Sequence, residues 1–323
     1  MGQQDQIQYA EQDAERMMRR GAVRRTLRPA RLRRVLYFFS MVIVLGAADI
    51  FLRMAARGNE IMLFGAVSCF LVFFLLLPFP RSYSINAILS YLKVFRQYYI
   101  PLALEKSFSD LQIQQGGGVS RGTITNTGMM YPGNIMESQS IIRGQYRGIP
   151  FEQSALHIED PSHRRDRGNQ IVFHGLWTVV SLNGSYQPEL QIIQSGFCNK
   201  KSRLSFHSRY TIGRRVSTKS LGFNLRFRVY ARDPGDVNYV LTPKVMKQIQ
   251  NLAVHTKGLV MLGFTDGKLH LAVQTKYAAF SPPNIFLPFR EERAIASIRR
   301  EAAPFTQLLD ELLLDKNLYK QEE

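Results

Sequence analysis

Cysteine is almost missing from this chain. Cys69 and Cys198 are the only two among 323 residues, one inside an apolar run and one far beyond it. No disulfide framework follows, as expected in a reducing compartment. The six histidines never fall in a His-x-x-x-His pattern and no Cys-x-x-Cys occurs, so there is no metal-site signature and no expected cofactor. Gly116, Gly117 and Gly118 lack the lysine and following Ser or Thr that a phosphate-binding loop requires. A Gly-x-Ser-x-Gly elbow is also missing. With these signatures gone, the expectation is of a protein that is not an enzyme.

Acid is missing where base crowds. Between Leu190 and Arg232 there are ten Lys or Arg and no Asp or Glu. The formal charge of +17 concentrates in residues 81–290, which carry +15, while residues 1–34 carry +5 and the last 33 carry −3. A basic surface tethered beneath an anionic leaflet gains about 1 kcal/mol per cation held near the lipid. Lys200, Lys201, Arg203, Arg209, Arg214, Arg215 and Lys219 are therefore the candidate contacts to anionic lipid headgroups. Phe206, Tyr210, Phe223 and Phe227 lie among them, and a basic face with aromatics could hold phosphates and stack bases. Their alternation with basic residues instead suits a strand with one face in the core, so nucleic acid is the lesser reading. An anionic protein partner is the third.

Two long apolar runs, Val35 to Leu52 and Ile61 to Phe79, are present. At about 1.5 Å per helical residue they reach about 27 to 29 Å, close to the hydrocarbon thickness of a bilayer. Nine arginines precede the first run and only two lie in the eight-residue link between them. The positive-inside rule then places both termini in the cytoplasm around a helical hairpin. The first run begins too late for a signal peptide and ends without a small-residue cleavage pattern. Asp49, an ionisable group in a span, lies four residues before Arg53, where an interfacial ion pair would satisfy it.

The expected fold class is α+β: an N-terminal two-helix transmembrane hairpin followed by a cytosolic mixed α/β domain with mainly antiparallel strands. The expected divisions are a basic segment 1–34, a hairpin 35–80, a stem helix 81–115, an α+β domain 116–290 and a C-terminal helix and tail 291–323. Ile85, Ile88, Leu89, Leu92, Phe95 and Tyr99 carry the stem's helical period until Pro101, which should interrupt it. Expected strands are Ile141–Tyr146, Ser154–Ile158, Gln170–Val180, Glu189–Gln194, Arg203–Tyr210 and Phe223–Tyr230. Glu159 to Asn169 reads as a charged loop. Thr242 and Pro243 read as an N-cap and first helical residue, opening a helix to about Val254. Leu259–Phe264 and Lys268–Gln274 flank Asp266 and Gly267, a hairpin pair. A final helix, Glu291 to Leu314, should be irregular around Pro304.

His174, in Val172-Phe173-His174-Gly175-Leu176-Trp177 beside the sole tryptophan, is the most tempting single catalytic candidate. A proton-transfer role needs a partner, and the alternating run favours an ordinary strand histidine. Asp233, before Pro234 and Gly235, reads as a turn residue.

Four motifs occur in order: Ile142-Arg143-Gly144 with Arg147-Gly148-Ile149 and Phe151; Val172 to Trp177; Phe227-x-Val229-Tyr230-Ala231-x-Asp233; and Tyr239-x-Leu241-Thr242-Pro243. With the N-terminal hairpin and stem, the chain resembles over most of residues 35–275 the bacterial membrane family known as domain of unknown function thirty-one thirty-seven. The family pattern has an acidic pair before its Ile-x-Gly motif, where this chain has Gln139 and Ser140. The resemblance implies a bacterial inner-membrane protein with no established activity, and it supplies no catalytic residue. It also implies, as a protein partner, a LemA-type coiled-coil membrane protein. The functional expectation is a membrane-anchored adaptor or scaffold binding a protein at the inner membrane. The rivals are a membrane-tethered enzyme with a dispersed site and a basic nucleic-acid tether.

Overall fold

The computed structural model describes residues 3–57, 61–76, 79–130, 133–160, 170–182, 184, 187–197, 211–276, 280, 282–284 and 287–313. Two compact units emerge: residues 1–100 with 282–294, and residues 101–281 with 295–323.

In the first unit, helix α1 (Gln3–Ala55) runs unbroken for 53 residues. Its apolar part, Val35–Met54, is long and apolar enough to cross a membrane. Phe38 is 69% exposed and Ile43 68%, so these side chains are not spent on packing within the protein. Arg53 Nε meets Asp49 Oδ2 at 2.9 Å, the pair expected for the charged residue of the span. Helix α2 (Ile61–Leu76) packs against α1 but has 16 residues, about 24 Å at helical rise. Among the described residues, Val35–Met54 is the one helix that meets the length and composition of a span. The two-span hairpin is therefore not confirmed.

Helix α3 (Phe79–Leu104) carries Tyr91, Phe95 and Tyr99 one turn apart. Their buried rings form a row with Phe289, Phe95 stacking on Tyr99 at 5.7 Å and Tyr99 meeting Phe289 edge-on at 5.1 Å. Beside this row Arg20 Nε pairs with the buried Glu291 carboxylate at 2.8 Å, with Arg19 Nε at 3.8 Å. Two arginines of the basic segment are thus held within the unit. Pro101 does not interrupt α3. It falls in the last turn, where one missing N–H removes a single bond, and its own carbonyl still accepts from Glu105 N at 2.8 Å. The expected stem of 81–115 is consequently too long, because residues from Phe108 are a strand.

In the second unit, nine strands form one sheet among the described residues. They are β1 (Phe108–Gln115), β2 (Ile135–Tyr146), β3 (Ile149–Asp160), β4 (Gln170–Ser181), β5 (Leu190–Gln194), β6 (Arg214–Val216), β7 (Phe227–Ala231), β8 (Leu259–Thr265) and β9 (Lys268–Gln274), in the order β1-β2-β3-β4-β9-β8-β5-β7-β6. All pairings are antiparallel. The mixed α/β class with antiparallel strands is therefore as expected. Asp266 and Gly267, with φ of 51° and 66°, make the predicted hairpin turn; both need the left-handed region that Asp tolerates and Gly enters freely. The expected strand Arg203–Tyr210 and most of the expected charged loop lie outside the described residues. Glu159 and Asp160 instead end β3.

One face of the sheet buries Leu156, Ile158, Phe173, Trp177 and Met261 under Ile124, Met129 and Met130, which come from short helix α4 (Arg121–Asn126) and the turn after it. Trp177 Nε1 donates to His270 Nδ1 at 3.3 Å, both side chains buried. Burial first, and the Lys268 charge second, push His270 down to about 4, so it is neutral and its Nδ1 lone pair is available. The other face carries Phe151, edge-on to Phe305 at 6.5 Å. Phe305 belongs to helix α8 (Glu291–Leu313). Tyr146 OH donates to Asp310 at 2.6 Å and Arg299 Nε to the Ala103 carbonyl at 2.9 Å, tying the same helix down. Pro304 leaves α8 continuous, because buried Ile298, Ala302, Leu308, Leu309 and Leu312 outweigh one lost backbone bond.

Candidate anionic-surface contact at the sheet edge

The edge strand β6 presents Arg214 and Arg215 to solvent, and Lys219 lies three residues beyond it, also exposed. These three predicted contacts come together on one short segment. Lys200, Lys201, Arg203 and Arg209 lie outside the described residues.

The stretch after Lys219 departs from the single strand expected over Phe223–Tyr230, because helix α5 (Leu221–Arg226) precedes β7. The apolar residues at 223, 225, 227 and 229 alternate like a strand, yet 223 and 227 are also one helical turn apart. Local side-chain chemistry chooses the helix. Ser220 Oγ accepts from Phe223 N at 3.3 Å as the N-cap. Asn224 closes the turn by donating from Nδ2 to the Thr218 carbonyl at 2.8 Å and accepting from Thr218 N at 3.0 Å. Buried Phe223 then stacks on buried Phe227, centroids 4.6 Å apart and planes 20° from parallel. Both rings are spent inside the core, which removes them as base-stacking platforms.

This anchoring leaves Leu221 and Leu225 outside, at 76% and 74% exposure. Arg226 is exposed as well, at the end of the same helix. Among the described residues Arg214, Arg215, Lys219 and Arg226 make no ion pair, whereas Arg232 pairs with Glu189 at 2.8 Å. Sequence reasoning missed Arg226 and the two leucines. The available signal was Ser220 followed by an i,i+4 leucine pair, masked by the strand-like alternation.

His174 sits on β4 opposite His157 on β3, rings edge-on at 5.2 Å. His157 Nε2 lies 2.6 Å from Glu159 Oε1. Burial first, then the neighbouring His157, lowers the His174 pKa. A separate cavity of about 320 Å³ lies against the strands, bounded by residues that include Phe151, Leu252, His255, Lys257, Glu301 and Phe305. His174 does not line it. Among the described residues no group of three His, Cys, Asp or Glu is placed to hold a metal. Asp233, expected as a turn residue, caps α6 (Pro234–Val240) by accepting from Gly235 N at 2.8 Å. Thr242 caps α7 (Pro243–His255) by accepting from Val245 N at 3.2 Å, as predicted.

The segment from β4 to α8, with its Val172–Trp177 strand and its two capped helices, matches a family model. Residues 171–314 match the model of the family described as protein of unknown function (DUF3137). The DUF3137 match includes the edge built from β6, α5 and β7. The Ile142-Arg143-Gly144 motif and the N-terminal helices lie before it. No curated protein and no solved structure matches the chain.

Proposed function

We propose that the chain is a membrane-anchored adaptor at the cytoplasmic face of a bacterial inner membrane. In this reading α1 and α2 cross as a two-span hairpin with both termini cytoplasmic, and the α+β domain binds a protein partner. The observation that carries it is the exposed apolar surface of Val35–Met54, which in water would be strongly unfavourable at about 25 cal/mol per Å² of apolar area. The nine arginines ahead of the first apolar run against two in the link Arg53–Glu60 support the cytoplasmic orientation. A LemA-type coiled-coil membrane protein is the partner implied by the family resemblance.

The test uses the full chain in its native membrane. Resistance to alkaline carbonate, protection of both terminal tags from an external protease, and one stoichiometric partner crosslinked from exposed Val254 are the expected results. Extraction by carbonate overturns the anchor. Turnover in a hydrolase or phosphotransferase screen that is abolished by His174→Gln overturns the adaptor and turns the reading to an enzyme.

A further inference from the structure

We infer that α5 and β6 form a second membrane contact, in which Leu221 and Leu225 insert into the lipid interface while Arg214, Arg215, Lys219 and Arg226 engage anionic headgroups. The inference rests on the membrane-anchored reading above and adds the residues and the lipid class. Leu221 and Leu225 are one helical turn apart, so they project from the same side of α5. Single exposed leucines are common on protein surfaces. A pair on one turn, each about three-quarters exposed and accompanied by four exposed cations without an acidic neighbour in sequence from Gln191 to Ala231, is the composition of an interfacial anchor.

The arginines alone would have a simpler explanation. Charged residues on a short edge strand discourage edge-to-edge pairing, and β6, three residues long with Arg at two of them, fits that role. Edge protection does not account for the leucines, which an aqueous surface disfavours and which a nucleic acid would not seek. An anionic bilayer satisfies both halves: its headgroups attract the cations and its acyl region takes the leucine side chains. The element is built to withstand insertion. Phe223 fixes the buried side of α5 to Phe227, and the Thr218–Asn224 bonds brace the turn that carries Lys219.

The test reconstitutes the full-length chain into vesicles, after Cys69→Ser and Cys198→Ser, with an environment-sensitive fluorophore on Leu225→Cys. A second preparation carries the label on exposed Lys244→Cys as the aqueous reference. In vesicles of equimolar phosphatidylglycerol and phosphatidylcholine, the label at 225 shifts to the blue and is quenched by spin-labelled acyl chains, while the label at 244 is not. Pure phosphatidylcholine vesicles abolish that signal, as does the combined Arg214→Ser, Arg215→Ser, Lys219→Ser and Arg226→Ser variant. With the label moved to Leu221→Cys, adding Leu225→Asp lowers the docked-to-free ratio by about tenfold. A label at 225 that stays in water on anionic vesicles, with the chain still resistant to carbonate, overturns the second contact and leaves the anchor intact. A blue shift that grows with protein density and ignores lipid charge overturns it in favour of a second copy of the chain. Failure of the chain to resist carbonate overturns the underlying reading itself.

Discussion

The buried pair of Trp177 and His270 makes the stability of the sheet depend on pH in a way that can be worked from the structure. Folded, His270 takes up a proton only near pH 4; unfolded, it does so near the ordinary value of about 6.5. Above about pH 6.5 both states hold it neutral and the full stability is present. As pH falls from about 6.5 toward 4, the unfolded chain gains a proton that the folded one refuses, and stability is lost. Each tenfold difference in proton affinity is about 1.36 kcal/mol, so the limiting loss is about 3 kcal/mol, of which about 2 kcal/mol is already gone at about pH 5. The assay is built in, because Trp177 is the only tryptophan and donates directly to His270. Denaturant unfolding of the chain in detergent, followed by indole emission, is compared across this range with His270→Gln, whose side-chain oxygen still accepts and does not titrate. The wild type should lose about 2 kcal/mol more than the variant between about pH 7 and pH 5. Equal pH dependence in the two proteins, or a folded-state emission change centred near pH 6.5, would refute the reasoning.

Two further perturbations act on close packing and on buried charge. A Cβ at Gly175 would run into the Val273 carbonyl across the β4–β9 ladder, so Gly175→Ala should destabilise the sheet by about 2 kcal/mol or more; chemical unfolding reported by Trp177 measures it. Glu291→Ala removes the buried carboxylate that holds Arg20 at 2.8 Å and should cost about 1 to 3 kcal/mol. Limited proteolysis within the Arg16–Arg28 stretch should accelerate, while Trp177 emission stays unchanged.

The parts legible in sequence are those decided within one helical turn or one hairpin. The apolar run from Val35, the Asp49–Arg53 pair, the Thr242 cap of α7 and the Asp266–Gly267 turn each rest on neighbours in the chain, so their physics is present in the local string. Elements whose local signals conflict are misread from the string alone. Pro101 and Pro304 look like breaks but cost one backbone bond each, which packing outweighs. Residues 223–229 fit a strand period until the Ser220 cap and the Thr218–Asn224 bonds resolve them into α5 and β7.

By itself, then, the sequence determined the apolar helix, the basic composition and the antiparallel α+β character, because chain-local hydrophobicity and turn chemistry are enough for those. Only the tertiary structure decided that β9 closes against β4, that β5 lies between β8 and β7, and that Trp177 meets His270 across 93 positions of sequence. It also decided which side of α5 is covered. Phe223 and Leu225 have similar hydrophobicity in the string; the stacking of Phe223 on Phe227 buries one and turns the other to the surface. Burial is a property of the whole packed sheet, and no local pattern carries it.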